Sequence, residues 1–385
     1  MKVIWPCHWY GDYRIPVFKH LNELLNGGLM VYYSKSDVTD SVNKKMQEQL
    51  PNNSVGLVGK TIILGSDKST FANKALFLRF QPDLYKRLKQ YNPDIVIAET
   101  FGGWSPIAVM YALIHKKKIM MFYERTSYVE RNSPWWRTLY RKIMGKPVQH
   151  FLINGIETEI YLNQLGFKKK PKTKGLMVSD TKGLENAVLS LTTKEKEQLK
   201  NELNIQKGLT FLFVGQIVER KGIIELCQAW CKHIKKYPYD TMLIIGSGPL
   251  LMKLKEKYKK FESLKFVGRI EYDNIHKYYG IADVFFMPTL EDNWCLVVPE
   301  AMACGLPVAC SIYNGGTSEL IKENENGYKF NPLKEESIIE TFKKFHYANL
   351  KSMGNSSKRI VSNFTPEIAA KKIFEACSSI AQSTN

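Results

Sequence analysis

The sequence comprises 385 residues, of which 44% are hydrophobic, and carries a formal net charge of +18. This length predicts two domains, and the hydrophobic content excludes a disordered chain. No run of about 18 apolar residues is present, which excludes a transmembrane helix. The first residues, Met1–Trp9, resemble a short strand rather than a signal peptide, so we expect a cytoplasmic protein.

The cysteines and histidines show no disulfide or metal-binding pattern. The seven cysteines, an odd number, include no CxxC pair and are expected to be reduced and mostly buried. The seven histidines include no HExxH or similar ligand spacing. The sequence therefore predicts no metal site.

The positive charge is concentrated in the first half. Residues 1–180 contain 27 Lys and Arg against 14 Asp and Glu, a net of +13, whereas the remainder contains 28 against 23, a net of +5. This asymmetry favours an acidic partner: an anionic membrane, a phosphorylated acceptor or nucleic acid. Lysine enrichment for solubility is the simpler alternative.

Strand and helix patterns alternate through the first half, which predicts an α/β domain with a parallel sheet covered on both faces. The predicted strands are Lys2–Trp5, Leu29–Tyr33, Thr61–Leu64, Asp94–Ala98, Ile119–Tyr123 and Gln149–Ile153. The predicted helices are Ile15–Leu25, Phe77–Tyr91, Ser105–His115, Pro134–Met144 and Ile156–Leu165.

A basic segment with little pattern, Lys168–Lys182, separates the halves and places the domain boundary near residue 180. The alternation then resumes, and two doubly wound domains predict a ligand in the cleft between the carboxyl ends of two sheets. The predicted strands are Leu209–Val214, Thr241–Ile245, Lys265–Val267, Val284–Met287, Pro307–Cys310 and Tyr328–Phe330. The predicted helices are Thr192–Leu203, Ile223–Lys236, Leu250–Lys259, Asn274–Tyr279, Leu296–Ala303, Thr317–Ile321, Lys334–Tyr347 and Pro366–Ser379.

The turn FVGQIVERKG has the composition of an anion site. Its strand ends at Gly215, a helix begins near Gly222, and Arg220 and Lys221 lie at the helix entrance. Two cations there can neutralise a pyrophosphate, and free N–H groups of the helix add donors. A solvated basic turn is the alternative.

A second glycine turn, IIGSGPL, follows the next strand but lacks the full GxGxxG pattern. Its Gly246 and Gly248 allow close approach of the backbone. Main-chain groups at Val267 and Gly268, where another strand ends, are candidates to bind a nucleobase edge.

The stretch Met287–Thr317 combines a buried strand, a polar loop and a helix N-terminus with two carboxylates, Asp292 and Glu300. Carboxylates repel phosphate but accept hydrogen bonds from sugar or ribose hydroxyls, so the stretch favours a nucleotide-sugar pocket. The alternative is an ordinary strand–helix unit with an acidic residue placed favourably in the helix dipole.

Loops at the strand ends of the first half are candidates for acceptor contact. They are WPCHWYGDYR, ETFGGWS and ERTS, and the candidate residues are His8, Gly11, Asp12, Arg14, Gly102, Gly103, Glu124 and Arg125. Glu99 or Glu124 is a candidate general base, provided that it reaches a proton. A structural role or a surface ion pair is the alternative for each.

The segment Pro134–Lys146 predicts an amphipathic, basic helix with two tryptophans, a type that lies in membrane interfaces. A helix that packs on the sheet and exposes a basic face is the alternative.

The chain resembles the retaining glycosyltransferases of family four (glycosyl transferases group 1), which have the GT-B fold. The resemblance rests on LVVPEAMACGLPV, on the acidic pair Asp292 and Glu300, and on the glycine and cation turn from Gly215 to Gly222. It implies two Rossmann-like, doubly wound domains facing across a cleft: an acceptor domain at 1–180, a nucleotide-sugar domain at 181–365, and a helix at 366–385 that crosses back.

The resemblance also implies residue roles. Arg220 and Lys221 would hold the donor pyrophosphate, Glu300 the ribose, and Asp292 the sugar and phosphate, with Glu124 on the acceptor side. The implied catalytic residues are Asp292, Glu300, Arg220, Lys221 and Glu124. The implied donor-binding residues are Gly215, Gln216, Arg220, Lys221, Gly246, Val267, Gly268, Glu291, Asp292, Asn293, Trp294, Cys295, Leu296, Val297 and Glu300.

Two positions depart from the family pattern. Gln216 stands where many members have an arginine, and Asp292 replaces a glutamate while Glu291 lies beside it. Either carboxylate can fill the first acidic position.

The resemblance implies a hexosyl- or N-acetylhexosaminyltransferase that moves a sugar, with retention, from a UDP- or GDP-linked donor to a glycan or lipid-linked glycan in bacterial polysaccharide biosynthesis. No cofactor and no metal are expected, since the cations at the diphosphate would be side chains. The charge asymmetry and the helix Pro134–Lys146 favour peripheral attachment to the inner face of the plasma membrane. The rival interpretations are a GT-B sugar-nucleotide epimerase and, from charge alone, a nucleic-acid-binding protein, for which no motif is present. No pattern in the sequence specifies the donor sugar, the acceptor, the linkage or the oligomeric state.

Overall fold

The computed structural model describes residues 1–65, 71–72 and 75–382. The chain divides into two compact units, one formed by Met1–Ser179 with Pro366–Asn385 and the other by Asp180–Thr365. Among the described residues, no helix is both long enough and apolar enough to span a bilayer.

The first unit is built on a parallel sheet of short apolar strands. In chain order, its strands are Val3–Cys7 (β1), Leu29–Ser34 (β2), Ser54–Leu57 (β3), Lys60–Gly65 (β4), Ala75–Phe80 (β5), Ile95–Glu99 (β6), Lys118–Tyr123 (β7), His150–Ile153 (β8) and Lys172–Thr173 (β9). The sheet has the order β3-β2-β1-β6-β7-β8-β9, and every neighbouring pair is parallel. All residues of β1, β6 and β8 are buried, as expected for strands covered on both faces.

The second unit repeats this architecture. Its strands are Thr210–Val214 (β10), Thr241–Ile245 (β11), Leu264–Gly268 (β12), Val284–Met287 (β13), Val308–Ser311 (β14) and Gly327–Phe330 (β15). They pair in parallel in the order β12-β11-β10-β13-β14-β15. The α/β class with parallel sheets, predicted from the alternation of patterns, is therefore confirmed.

Helices cover the two sheets. In chain order they are Ile15–Leu24 (α1), Asp40–Gln49 (α2), Leu84–Tyr91 (α3), Ser105–Ile114 (α4), Trp135–Gly145 (α5), Ile156–Leu162 (α6), Thr181–Leu189 (α7), Thr193–Glu202 (α8), Ile223–His233 (α9), Leu251–Lys257 (α10), Tyr272–Ile281 (α11), Val297–Ala303 (α12), Thr317–Leu320 (α13), Glu335–His346 (α14), Leu350–Val361 (α15) and Pro366–Gln382 (α16). The last helix, α16, belongs to the first unit, where it packs along α1 and buries Ala369, Ile373 and Cys377.

Residues 60–80 depart from the sequence prediction. β4 and β5 pair antiparallel in a hairpin outside the main sheet, so the predicted strand Thr61–Leu64 does not join the parallel sheet. The predicted helix Phe77–Tyr91 is wrong over Phe77–Phe80, which lie in β5, and right from Leu84 onward. Pro82 explains the break, because proline disfavours helical backbone in the residue before it and has no N–H for an interior helix bond.

The strand order reverses between β10 and β13 in the second sheet. In a doubly wound sheet the loops that follow two such strands diverge to opposite faces and leave a crevice at the carboxyl ends. The loops after β10 and β13 are those that contain Arg220, Lys221 and Asp292. The fold therefore brings together residues that lie about seventy positions apart in the sequence.

Candidate functional site

The loops after β10 and β13 are in direct contact at the carboxyl end of the second sheet. Gly222 adopts φ +68°, and a Cβ atom at this position would lie 1.9 Å from the carbonyl oxygen of Pro288. Across the same contact, the Leu290 N–H and the Thr289 hydroxyl donate to the Arg220 carbonyl oxygen, at 2.8 and 3.0 Å. Only glycine adopts this backbone conformation readily and leaves room for the Pro288 carbonyl oxygen, so Gly222 allows the two loops to pack against each other.

This contact creates a cluster of three charges, the switch-point cluster, formed by Arg220, Lys221 and Asp292. The Asp292 Oδ2 atom lies 2.6 Å from the Lys221 Nζ atom and 3.1 Å from the Arg220 Nη1 atom. The Trp294 N–H donates to the other carboxylate oxygen, Oδ1, at 3.0 Å. The cluster carries a net charge of +1 when all three side chains are ionised.

The electrostatics keep these side chains ionised. Burial alone would raise the pKa of Asp292, but Lys221, Arg220 and the Trp294 N–H outweigh it and lower the pKa to about 2. Burial would lower the pKa of Lys221, but the Asp292 carboxylate raises it above its ordinary value. At neutral pH the crevice therefore presents two cations held by one carboxylate, which is a suitable site for an anion of higher charge.

The GSG turn after β11 packs against the loop after β10. A Cβ atom at Gly246, where φ is +140°, would lie 1.8 Å from the Gly215 carbonyl oxygen. The Ile217 N–H donates to the Ser247 carbonyl oxygen at 2.9 Å, and the Gly246 N–H donates to the Gly268 carbonyl oxygen at 2.8 Å. The predicted residues Gly215, Gly246 and Gly268 thus lie on neighbouring strand ends.

Glu300 lies in the first turn of α12, where it is buried. The Tyr279 hydroxyl of α11 donates to its Oε2 atom at 3.2 Å. Burial, together with the neighbouring Glu300, raises the pKa of Tyr279 well above its ordinary value, so this hydroxyl remains a proton donor. Tyr279 has no signal in the sequence that links it to Glu300.

Asn314 is a second residue that the motif pattern does not reveal. Its Oδ1 atom accepts the Cys295 N–H at 3.0 Å, while the neighbouring Gly315 N–H donates to the Asp292 carbonyl oxygen at 3.0 Å. The loop after β14 therefore supports the loop after β13. The sequence YNGG is a turn composition that follows a strand, which is the signal that could have identified it.

The other predicted residues of this region surround the cluster. The Lys221 Nζ atom lies 3.6 Å from the Cys295 Sγ atom, and Trp294 packs against Gly316 and the ring of Phe364. Val267 is the penultimate residue of β12, which ends at Gly268. Gln216, Glu291, Asn293, Leu296 and Val297 lie on the same two loops or at the start of α12.

In the first unit, a buried arginine connects three predicted loops. Arg14 forms an ion pair with Glu99, and its Nη2 atom lies 3.6 Å from the Glu124 Oε2 atom. Burial opposes the charge of Arg14, but Glu99, Tyr13 and Glu124 raise its pKa. Glu99 also accepts the Trp5 indole N–H at 2.7 Å, so both of its oxygens have partners and it fits a structural role better than that of a base.

His8 lies beside this arginine and against Gly103, where a Cβ atom would lie 2.4 Å from the His8 Nδ1 atom. Burial, with the charges of Arg79 and Arg14, lowers the pKa of His8 to about 3, so the imidazole is neutral at pH 7. His8 and Gly103 are therefore close neighbours, as their strand-end positions predict. Asp12 instead pairs with Lys45 at 3.5 Å on the surface, while Gly11 and Gly102 lie in the loops nearby.

Arg125 belongs to a different network, the helix anchor, formed by Arg125, Glu130 and Arg141. The two Glu130 oxygens lie 2.8 Å from Arg125 Nη1 and 2.7 Å from Arg141 Nη2. Burial would raise the pKa of Glu130, but both arginines outweigh it and lower the pKa. Arg141 also donates to the Tyr161 hydroxyl at 2.7 Å, so this network fastens α5 to α6.

Both units are Rossmann-like, and the second has a cationic cluster at the switch point of its sheet. This combination is typical of α/β proteins that bind a phosphorylated ligand at strand ends. Residues 195–360 match the family model for glycosyl transferases group 1, so the second unit is a domain of that family. The fold as a whole is GT-B. HepE from Anabaena, solved in complex with UDP, superimposes with a TM-score of 0.78 over 98% of this chain and 100% of HepE, at 14% identity.

Two curated relatives are similar to part of this chain. The alpha-monoglucosyldiacylglycerol synthase of Acholeplasma laidlawii is 29% identical over 155 residues, which are 39% of this chain and 38% of the relative. The lipopolysaccharide 1,2-N-acetylglucosaminetransferase of Salmonella typhimurium is 32% identical over 158 residues, which are 37% of this chain and 41% of the relative. The chain spans less than half the length of the curated relatives it matches.

Proposed function

We propose that the protein is a retaining glycosyltransferase that moves a hexosyl or N-acetylhexosaminyl group from a UDP- or GDP-linked donor to a hydroxyl of a glycan or lipid-linked glycan. The observation that carries the proposal is the switch-point cluster, in which two cations meet at the carboxyl ends of β10 and β13 within a glycosyl transferases group 1 domain. The relatives named above, a glucosyl-lipid synthase and an N-acetylglucosaminetransferase, support the class of transferred sugar.

The chemistry requires stabilisation of a diphosphate that gains negative charge as the glycosidic bond to the sugar breaks. Arg220 and Lys221 supply two positive charges at a fixed place, and cations that are already oriented cost no reorganisation during the reaction. In the proposed donor complex Glu300 accepts hydrogen bonds from ribose hydroxyls, with Tyr279 fixing its second oxygen. In the proposed step these positive charges are carried by side chains rather than by a metal ion.

Asp292 has a particular position in this scheme. It shares its Oδ2 atom between both cations in the ligand-free chain. A donor diphosphate would have to take over part of these contacts, which would leave the Asp292 carboxylate to accept a sugar hydroxyl. Asp292 rather than Glu291 is therefore proposed as the first acidic residue of the pair.

The proposed acceptor is membrane-bound, and the exposed side chains of the helix α5 support this part of the proposal. Its large apolar side chains point to solvent: Trp135 is 76% exposed, Trp136 44%, Leu139 50% and Ile143 56%. Its Arg141 is instead buried, in the helix anchor. The interpretation of α5 as a helix that packs its apolar face on the sheet is wrong for these residues, because the helix anchor turns that face outward.

A helix that exposes aromatic and aliphatic side chains beside cations matches an anionic lipid surface. Lys142 on α5, Lys146 directly after it and Arg131 before it are exposed. Each cation near an anionic leaflet contributes about 1 kcal/mol of attraction. Tryptophan and tyrosine rings favour the headgroup region. We therefore propose peripheral attachment to the cytoplasmic face of a membrane that carries the acceptor.

Vesicle flotation tests the membrane proposal. Wild-type protein is expected to float with phosphatidylglycerol vesicles and much less with phosphatidylcholine vesicles, and Trp135→Ser with Ile143→Ser is expected to reduce recovery severalfold. Met252→Ser is the matched control, because Met252 is 74% exposed but lies in the second unit. Equal recovery with both vesicle types, or no effect of the double substitution, would contradict the proposal.

Product analysis tests the transfer itself. UDP- and GDP-sugars are incubated with the protein, with and without lipid-linked glycan acceptors, and the product anomer is assigned by NMR. The proposal expects an acceptor-dependent glycoside with the anomeric configuration of the donor. Conversion of the nucleotide sugar in the absence of acceptor would instead identify an epimerase, and an inverted product would contradict retention.

A further inference from the structure

Two histidines and an aspartate converge in the second unit at the amino end of the sheet, whereas the switch-point cluster lies at its carboxyl end. Asp240 directly precedes β11, His233 ends α9, and His346 ends α14. The Asp240 Oδ2 atom lies 2.8 Å from the His233 Nε2 atom and 2.8 Å from the His346 Nε2 atom. The three ligand atoms all lie within 4.8 Å of one another.

We propose that His233, Asp240 and His346 bind a divalent transition-metal ion, with Zn²⁺ as the preferred ion. Neutral imidazole nitrogens with one carboxylate oxygen form a donor set that suits Zn²⁺ and its neighbours in the first transition row. Mg²⁺ and Ca²⁺ favour oxygen ligands and are poorly served by it. The inference does not depend on the proposed sugar transfer, because the two sites lie at opposite ends of the strands.

The surroundings orient the proposed ligands. The second oxygen of Asp240, Oδ1, accepts the Leu209 N–H at 2.9 Å, which leaves Oδ2 to face the two imidazoles. The Tyr237 ring stacks on both imidazole rings, with centroids 3.8 Å from His346 and 4.9 Å from His233. A carboxylate fixed through its outer oxygen is a typical support of a metal ligand. The imidazoles are held by ring packing, and the His233 Nδ1 atom is buried without a hydrogen-bond partner among the described residues.

The site also has a route for an ion. Asp240 and His233 are 2% exposed, whereas the His346 side chain retains 17% of its accessible surface. An ion can therefore arrive from the His346 side, and water can complete a tetrahedral set as the fourth ligand. Because the ligands come from α9, α14 and the start of β11, a bound ion would clamp two helices to one strand.

The alternative arrangement is a trio without metal, in which both imidazoles donate their Nε2–H groups to the Asp240 carboxylate. The 2.8 Å separations suit hydrogen bonds, whereas a tetrahedral Zn²⁺ with ligand bonds of about 2.0–2.1 Å requires the Asp240 oxygen and each imidazole nitrogen to move apart to roughly 3.3 Å. The two arrangements differ in their response to Zn²⁺. In the first, each neutral imidazole carries its proton on Nδ1 and binds Zn²⁺ through Nε2, so Zn²⁺ stabilises the folded chain; in the second, Zn²⁺ has no effect.

The test uses the full chain after treatment with a chelator and measures thermal unfolding in a titration with ZnCl₂, with MgCl₂ as the ionic control. The proposal expects one Zn²⁺ per chain by elemental analysis and a rise of about 5 °C in the unfolding temperature at roughly hundredfold excess over the Kd. Co²⁺ is expected to give a visible absorption band of a site with nitrogen and oxygen ligands.

Substitutions assign the ligands. His346→Ala is expected to weaken Zn²⁺ binding by more than about tenfold, because the loss of one ligand leaves an incomplete set. His20→Ala removes a half-exposed histidine of the first unit, and Cys231→Ser removes the partly exposed thiol, and neither is expected to change binding. His346→Gln is a second variant if the alanine variant is unstable. No Zn²⁺-dependent shift in wild type, or equal shifts in wild type and both His346 variants, would overturn the proposal.

Discussion

The switch-point cluster and the helix anchor are built from the same components and serve different purposes. Each contains one carboxylate between two cations and has a net charge of +1 when ionised. In the helix anchor the Glu130 side chain is fully buried, and its partners connect α5 to α6. In the switch-point cluster the Asp292 side chain keeps 13% of its accessible surface and Arg220 keeps 26%, at the end of a sheet.

The difference shows that position in the fold, rather than the charge pattern, distinguishes a binding site from a structural network. The Glu130 carboxylate is fully buried with each oxygen held by an arginine, although Arg125 itself keeps 37% of its side-chain surface, and this network holds α5 to α6. A carboxylate at the switch point, beyond the carboxyl ends of the neighbouring strands β10 and β13, leaves its cations open to a ligand. Substitutions in the two networks should therefore differ in their effects on turnover, nucleotide binding and stability.

Removal of Lys221 is expected to have the largest effect. Lys221→Ala should reduce the kcat/KM of sugar transfer by about 100- to 1000-fold, because one of two charges that stabilise the leaving diphosphate is lost. Steady-state assays with the active donor measure it, and Lys259→Ala, at an exposed lysine of the same unit, is the control. Turnover within about threefold of wild type would remove Lys221 from the proposed role.

Removal of the charge of Glu130 is expected to affect stability rather than chemistry. Glu130→Gln leaves two arginines without their shared carboxylate, which should lower the free energy of unfolding by about 3 kcal/mol. Denaturant unfolding followed by circular dichroism measures it. Nucleotide affinity is expected to remain at the wild-type value, since Glu130 lies in the first unit. Unchanged stability would show that the helix anchor contributes little to the free energy of unfolding.

Asp292→Asn is expected to separate binding from catalysis at the switch-point cluster. The substitution frees two cations from a competing carboxylate, so the affinity for UDP or GDP should rise by roughly 3- to 10-fold while transfer falls. Calorimetric titration measures the affinity. Glu271→Gln, which breaks the exposed pair with Arg269, serves as the control. Weaker nucleotide binding would show instead that Asp292 orients the cations.

The smallest expected effect is a pH dependence from Asp292. Its pKa is lowered to about 2 in the folded chain against an ordinary value of 3.8, so its stabilising contribution is complete above pH 4 and is lost as the pH falls towards 2. The difference in unfolding free energy between wild type and Asp292→Asn should shrink by about 1 kcal/mol from pH 5 to pH 3. A constant difference across this range would contradict the lowered pKa.

Most strands of both sheets were predictable, because buried parallel strands are short apolar runs and the helices between them are periodic. Residues 60–80 were not, since the apolar pattern of Phe77–Phe80 fits a strand as well as a helix and only pairing with β4 decides. The helices α2 and α15 were missed: α2 is polar and buries only Met46, while the buried face of α15 includes the small residues Gly354 and Ser357 beside Met353 and Val361.

The candidate site was predictable where local sequence carries it. Arg220, Lys221 and Asp292 lie in the loops that follow strands, and Glu300 lies in the first turn of the helix after one of these loops, an order that is visible in the sequence. Asn314 and Tyr279 were missed, because a supporting role depends on contacts across loops and helices. The sequence left open whether the apolar face of α5 faces outward or packs on the sheet, because the outcome depends on Glu130 holding Arg141 inward.

The most direct test of the central claim is calorimetric titration of the full chain with UDP and with GDP, in wild type and in Lys221→Ala. The account predicts that one of these nucleotides binds with one site per chain, more weakly at higher salt because the contacts are ionic. It predicts at least about tenfold weaker binding in Lys221→Ala, roughly 1.4 kcal/mol, with no change in Lys259→Ala. Absence of binding by both nucleotides, or equal affinity in wild type and Lys221→Ala, would contradict it.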